Sequence, residues 1–505
     1  MTDLNLLRYY QRLTPLGVGK PLLTTLTDVA ESMYTSPRHA RNLMHQMQEL
    51  HWLDWQPKPG RNQRSTLLLH QEPQSLMEAL ATERIRAGKY EKALSILNHD
   101  QSAFGRLLQR TSGATYREGR MHIQLTYKRA FEALLPHESH RSSERYLIRQ
   151  VYCCLVGSNR KGELEPQLAH HWHYDEEKYQ WCFYLRPGLT FHDGESIDAN
   201  SIVTLFEHLA TLTNYQAELG HLERVYSPVP GQIVFDLKEP DLGFGGLLSG
   251  IKFSIQPPNQ AIHGVGKNVV GSGCFEVVEH SDRRLRLQAF ERYYATRALT
   301  DVVTIWHLDE SGDAHQGIKA SQQASVESKE CNYYLTQHCS DHKASDVKQT
   351  RVEDGCLFML FNHFSKSSLS DAQRKYLADL VDSKTVLEEI QALEKQWGHE
   401  VSGHLLPFWT YVKRPEGEQV KLPKTLSIAI YDYSTLFNIA QAVKSILSKI
   451  GIEVIVNTYS YRELTEQTRL NSLEEDMLIT NINLDDNFHS SAFSSLFHSP
   501  IIQAV

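Results

Sequence analysis

A chain of 505 residues with 41% apolar and 22% charged side chains has ordinary globular composition and room for about three domains, which excludes a disordered or fibrous polypeptide. Its formal charge of −8 excludes wholesale coating of nucleic acid, yet residues 1–72 hold eight Lys/Arg against six Asp/Glu, which leaves −10 on the remainder. An acidic body with a locally basic head points to one confined contact with a polyanion.

Leu4, Leu6, Leu7, Tyr10 and Leu13 predict a first helix. Leu26, Val29, Ala30 and Met33 fall at i, i+3, i+4 and i+7, the spacing of a second. Tyr34-Thr35 breaks that pattern. Ser36 can then cap a third helix with its hydroxyl, and Pro37 suits the first helical position, where no amide hydrogen is needed. In this helix Ala40, Leu43, Met44, Met47 and Leu50 form the expected buried stripe, which turns Arg38, Arg41, Asn42, His45 and Gln48 outward. Trp52–Trp55 reads as a strand, Pro57–Arg64 as a turn-rich basic tip and Thr66–Leu69 as the returning strand. Together these predict a winged helix-turn-helix over 1–72. Cationic and amide side chains on such a face can hold phosphates and read base edges of double-stranded DNA. The expected contacts are Ser36, Arg38, His39, Arg41, Asn42 and His45 on the helix, with Lys58, Arg61, Asn62 and Arg64 on the wing. The alternative is an ordinary solvated helix.

Residues 73–115 predict a connector of two helices, with Leu76, Leu80 and Ile85 and then Tyr90, Ala93, Leu94 and Leu97 as their apolar faces. Part of a second globular unit is the other reading of this stretch. Beyond Tyr116 the period changes to that of strands. Trp181, Phe183 and Leu185 alternate as a half-buried strand does, Arg186-Pro187-Gly188 turns the chain, and His192-Asp193-Gly194 turns it again. The polar stretch Ser311–Asp354 reads as a surface excursion.

Several features could carry chemistry and do not assemble it. His170, His171 and His173 lie on an expected strand, where surface histidines outweigh a metal site. Gly17–Lys20 and Gly264–Lys267 lack the full phosphate-loop pattern, and Gly271-Ser-Gly273 lacks GxSxG. With no nucleophile, base and oxyanion set together, neither an enzyme nor a cofactor or metal is expected. The seven cysteines, at 153, 154, 182, 274, 331, 339 and 356, form no CxxC pair, which fits reduced thiols. Adjacent Cys153-Cys154 could sense oxidation, but buried inert thiols are the favoured reading. The start shows no basic and apolar export signal, and no apolar run approaches a membrane span, so a cytoplasmic protein with no membrane contact is expected.

Three blocks in order, Gly162–Trp172, Trp181–Gly194 and Ile197–Val203, resemble the "LAxSW", "WxFxLRPGVxFHDG" and "xTAxDVxxS" segments of the family-5 extracellular solute-binding proteins. Val270–Val278 resembles their "GTGPYxV", Ala289–Tyr294 their "xxNPDYW" and Gly403–Pro407 their "GxxP" turn. With Ser36–Leu43 and Asp54–Ser65 in the head, the whole chain resembles the SgrR-type transcriptional regulators.

The resemblance implies an α/β protein: a winged helix-turn-helix head, a helical connector, and a two-lobed body of type II periplasmic-binding-protein fold over 116–505. The lobes would span about 116–290 and 291–505, and the final segment returning to the first lobe is expected to be missing. It further implies a regulator that activates a small-RNA gene in sugar-phosphate stress and represses its own gene. Its partners would be promoter DNA, a small-molecule effector such as a sugar phosphate, and RNA polymerase. Cleft residues carried over are Tyr152, Cys153 and Cys154 where the family has "YEGL", with Trp409 and Asp486 in the second lobe. The competing reading is a solute- or peptide-binding component of an ABC transport system, which would need an export signal or a lipidated cysteine.

Overall fold

The computed structural model describes residues 3–58, 63–127, 129–308, 355–365, 367–393, 401–402, 405, 417–484 and 488–497. These fall into two compact units. The first comprises Met1–Ala130 with Ser281–Leu287 and 299–308, and the second Phe131–His280, Gln288–Ala298 and the described residues from 355 onward. The polar stretch Ser311–Asp354 lies outside the described residues.

In the first unit, α1 (Asp3–Leu13), α2 (Leu26–Ser32) and α3 (Pro37–Glu49) make the three-helix part of the head. Their ends are set locally. Thr25 and Asp28 form a reciprocal capping box at α2, and the Ser36 hydroxyl accepts the amide of His39 at 3.3 Å to start α3. Leu50, expected in the buried stripe of α3, is 52% exposed, because the helix ends at Glu49 and Leu50 is its C-cap. The wing strands β2 (Leu53–Gln56) and β3 (Ser65–Leu69) pair antiparallel, with Trp55 opposite Leu67. A short strand that the sequence does not signal, β1 (Leu22–Thr24), covers the other edge of β3, so that β3 is the central strand of three.

The connector has three helices where two were expected: α4 (Pro73–Arg86), α5 (Tyr90–Ile96) and α6 (Gln101–Arg110). Asn98 and His99 adopt left-handed φ of 53° and 63°, which ends α5, and the Asp100 carboxylate then accepts the Ala103 amide at 3.0 Å to begin α6. These helices are not a spacer. Leu76, Met77, Ala81, Ile85, Leu97, Phe104 and Leu108 share one continuous core with Leu7, Tyr10, Met33, Met44 and Leu69 of the head. The Tyr10 hydroxyl, donating to the Gln71 carbonyl at 2.7 Å, ties α1 to the start of α4.

The same unit continues into β4 (Gly113–Arg117) and β5 (Arg120–Tyr127), an antiparallel hairpin. A distant segment, Val302–His307, pairs parallel with β5, with Val302 opposite His122. Trp306 from that segment packs edge-on against Tyr90 at 4.8 Å and Phe104 at 5.6 Å. The boundaries drawn from the sequence at 72 and 115 therefore fall inside one packed unit. The lobe boundary at 290 likewise does not coincide with a unit edge, since 281–287 and 299–308 belong with the head while Gln288–Ala298 belong with the body.

The second unit has two main cores. One is built on a four-stranded antiparallel sheet in the order Leu222–Tyr226, Gln232–Leu237, Gln180–Leu185, Ala169–Asp175. Helix Ala199–Thr211, capped by Asp198, packs Phe206 against Phe235 of that sheet at 4.9 Å. The other core is a sheet in the order Gly355–Phe361, Met477–Asn483, Thr425–Tyr431, Glu453–Tyr459, covered by helix Ser434–Ser448. Thr425–Tyr431 runs parallel to both its neighbours, the pairing expected of a sheet fed by crossover helices. Among the described residues no helix is long and apolar enough to cross a membrane.

Candidate nucleic-acid interface and solute cleft

Amphipathic spacing places the functional side chains of α3. Ala40, Leu43, Met44 and Met47 are buried, so Arg38, Arg41, Asn42, His45 and Gln48 stand exposed on the opposite face. His39 is half-buried, edge-on to Tyr9 of α1 at 5.9 Å, and His45 lies 3.2 Å from Glu49 one turn on. On the wing, Lys58 and Arg64 are exposed, and the Lys58 amide donates to the Ser65 hydroxyl at 3.2 Å. Arg61 and Asn62 lie outside the described residues.

Sequence spacing missed a neighbouring pair. Arg12 lies between two tyrosine rings, 5.3 Å from Tyr9 and 5.4 Å from Tyr34, and donates to the Met33 carbonyl at 2.8 Å. Tyr34 is 82% exposed with φ of +54° at the turn between α2 and α3. The signal that could have found it was the bulky aromatic at a turn position where glycine is easier to place.

In the body, the expected cleft residues are core residues. Tyr152, Cys153 and Cys154 are all buried. The Gln260 amide donates to the Tyr152 hydroxyl at 3.0 Å, the Cys154 thiol reaches the Gly250 carbonyl at 3.4 Å, and burial pushes the Cys153 thiol up to about 12. Their backbone is braced by the Gly271-Ser-Gly273 turn. A Cβ on Gly271 would lie 2.0 Å from the Val151 carbonyl oxygen, and one on Gly273 would lie 2.6 Å from the Tyr152 amide, so both positions need glycine. Trp409 and Asp486 lie outside the described residues. His170, His171 and His173 are exposed on the edge strand Ala169–Asp175, and no group of three potential metal ligands lies together among the described residues.

A cavity of about 90 Å³ opens elsewhere in this unit. It lies where α7 (Ser142–Val151) meets Tyr431, Tyr461 and the end of strand Met477–Asn483. The Arg141 guanidinium pairs with Asp432 and stacks 5.5 Å from the Tyr431 ring and 5.6 Å from that of Tyr461. Arg145 donates to the Asn483 carbonyl at 3.0 Å, and the Asn483 amide donates to the Ser142 hydroxyl at 2.7 Å. The Tyr431 hydroxyl donates to the Asn481 side chain at 2.5 Å. The contacts of Arg141, Ser142 and Arg145 join residues 291 to 341 positions apart, which no local pattern reveals.

The comparisons with known proteins follow the same division. Residues 5–119 match the family described as sugar transport-related sRNA regulator N-term, and residues 163–372 match the middle part of the bacterial extracellular solute-binding proteins, family 5. The HTH-type transcriptional regulator SgrR of Yersinia enterocolitica is 28% identical over 98% of this chain and 85% of its own. That of Photorhabdus laumondii is 29% identical over 96% of this chain and 84% of its own. In fold, the chain is similar to the murein tripeptide binding protein MppA of Escherichia coli, with a TM-score of 0.59 at 17% identity over 77% of this chain and 85% of that one. It is also similar to the periplasmic binding protein DppA of Helicobacter pylori, with a TM-score of 0.56 at 15% identity over 75% and 82%. The relatives bear the names of regulators and the structural neighbours those of binding proteins; none of these is the name of an enzyme.

Proposed function

We propose that the chain is an SgrR-type transcriptional regulator with a solute-binding-protein-like domain, and that it grips promoter DNA in the cytoplasm with α3 and the wing while a small solute in the body sets the strength of that grip. The observation that carries this is the α3 face: Arg38, Arg41, Asn42 and Gln48 exposed together on a helix whose opposite side is sealed into the core. Residues 1–72 hold the contacts. Ser36, Arg38, His39, Arg41, Asn42 and His45 enter the major groove, and Lys58, Arg61, Asn62 and Arg64 hold the flanking backbone.

The solute is a sugar phosphate, and its binding raises transcription of a small-RNA gene through RNA polymerase and lowers that of the regulator's own gene. The description of the family that residues 5–119 match, an sRNA regulator related to sugar transport, supports this reading. For the solute to act, it must bind the DNA-competent and incompetent forms with different free energies, and DNA must by linkage feed back on solute affinity by the same factor. Such couplings typically change affinity about 5- to 150-fold. Footprinting and gel shifts with the full chain, with and without glucose 6-phosphate, test this: a protected promoter site whose affinity shifts at least about fivefold is expected. Identical operator affinity at saturating solute would sink the sensing step, and absence of any protected site would sink the whole reading.

A further inference from the structure

The start of α7 combines features that serve no purpose yet described. Arg141 is its N-cap and makes no side-chain cap, so the positive end of a ten-residue helix faces the cavity beside Arg141 and Arg145. His140, also lining that cavity, is 8% exposed. Its Nε2–H donates to the Leu135 carbonyl at 2.6 Å, which leaves Nδ1 as an acceptor, and Nδ1 has no partner among the described residues. A buried acceptor without a donor is destabilising, so the site is incomplete as it stands. Two carboxylates lie nearby: Asp432, about half exposed, pairs with Arg141, and Glu144 is buried at the third helical position with the Ser143 hydroxyl 3.1 Å away. The Asp432 carboxylate holds Arg141 in place. Asp432, at the rim, is the one an incoming anion would displace.

We infer that the N-terminus of α7 is an anion subsite for a small hydroxylated phosphate or carboxylate, with Arg141 and Arg145 holding the anionic group and His140 Nδ1 accepting from a hydroxyl of the same molecule. This rests on the reading that the body takes a solute, and it names the chemistry of that solute from the protein side. Arginine donors on a helix N-terminus suit a phosphate or carboxylate through charge-assisted, bidentate hydrogen bonds. The rings of Tyr431 and Tyr461 keep the Arg141 fork planar and ordered before the ligand arrives.

Calorimetric titration of the full chain with inorganic phosphate, glucose 6-phosphate, gluconate and glucose tests the inference. Saturable binding of glucose 6-phosphate or gluconate, at least tenfold tighter than glucose, is expected, and whichever of the two binds tighter identifies the anion as phosphate or carboxylate. Arg141→Gln and Arg145→Gln should each weaken it about tenfold or more, and Asp432→Asn, a substitution at a half-exposed rim position that leaves the fold intact, should tighten it. Equal affinities for glucose and its phosphate, unchanged binding in both arginine variants, weaker binding in Asp432→Asn, or no saturable binding by either anion would each overturn the proposal. Operator affinity of the ligand-free chain is measured beside it. Intact operator binding without anion binding sinks only this inference, and anion binding without operator binding sinks only the regulatory reading.

Discussion

The amide of Gly271 donates to Nδ1 of His192 at 3.1 Å while Nε2–H of the same ring donates to the Gly273 carbonyl at 3.0 Å. One neutral imidazole thus holds both ends of the turn that braces Tyr152 and Cys153. Burial holds the His192 pKa down at about 4 against 6.5 for a free histidine, and protonating Nδ1 would set two donors against each other. Between those values the unfolded chain takes up the proton more readily, so stability is full above pH 6.5 and falls on acidification toward pH 4, by an amount of order 3 kcal/mol. Urea unfolding of the body at pH 7 and pH 5 should show about 2 kcal/mol of this loss, and His192→Gln, which cannot be protonated there, should show a flatter profile. Parallel profiles would refute the assignment.

Gly271→Ala places a methyl group 2.0 Å from the Val151 carbonyl oxygen. A backbone atom cannot yield as a side-chain tip can, so a loss above about 3 kcal/mol is expected, read as a fall in the thermal midpoint of the body. A midpoint within a degree of wild type would show that the turn can open.

On the head, Arg41→Ala and Asn42→Ala should relax sequence preference in gel shifts. Lys58→Ala and Arg64→Ala should weaken all duplexes alike and flatten the salt dependence by about one counterion each. If the two classes behave identically, the contact is non-specific.

Trp306 packs on Tyr90 and Phe104 and lies under the Arg284 guanidinium at 4.9 Å. Trp306→Ala should cost the first unit about 3–5 kcal/mol and reduce operator binding, although the substitution is more than 250 residues from α3 in sequence. Unchanged proteolytic resistance of the head would argue that Tyr90 and Phe104 close the gap alone.

Cys153 is buried and its thiol is raised to about 12, so almost none is thiolate at neutral pH. Alkylation should be negligible in the native chain and rapid in denaturant. Fast native labelling at this position would reopen the redox reading.

What could be read in the sequence was what the chain decides locally. Ser36-Pro37 marks the start of α3 because a hydroxyl cap and a ring-fixed φ act within one turn, and the stripe from Ala40 to Met47 sets which face is buried. The alternation of Trp181, Phe183 and Leu185 is equally local, although Cys182 is buried as well, since that strand is internal to its sheet. Long-range pairing left no such mark. β1 is three residues long, too short for a period, and Val302–His307 finds β5 only in three dimensions. The cavity at α7 escaped for the same reason, being assembled from residues around 141 and 431–483. Tyr152–Cys154 was expected at the cleft through resemblance alone, and its apolar neighbours draw it into the core.

The parallel pairing of β5 with Val302–His307, and the bond from Met121 to Asp301 across 180 positions, bear on when the head matures. A nascent chain emerges from the amino terminus, so α1–α6 reach the ribosome exit long before the strand that flanks their last hairpin has been made. Until then the indole of Trp306 is absent from between Tyr90 and Phe104, and that side of the head stays open to water. Completion of the promoter-gripping end thus waits on residues 131–298 of the body being translated, so a polypeptide cut short within that stretch lacks the strand that closes its head.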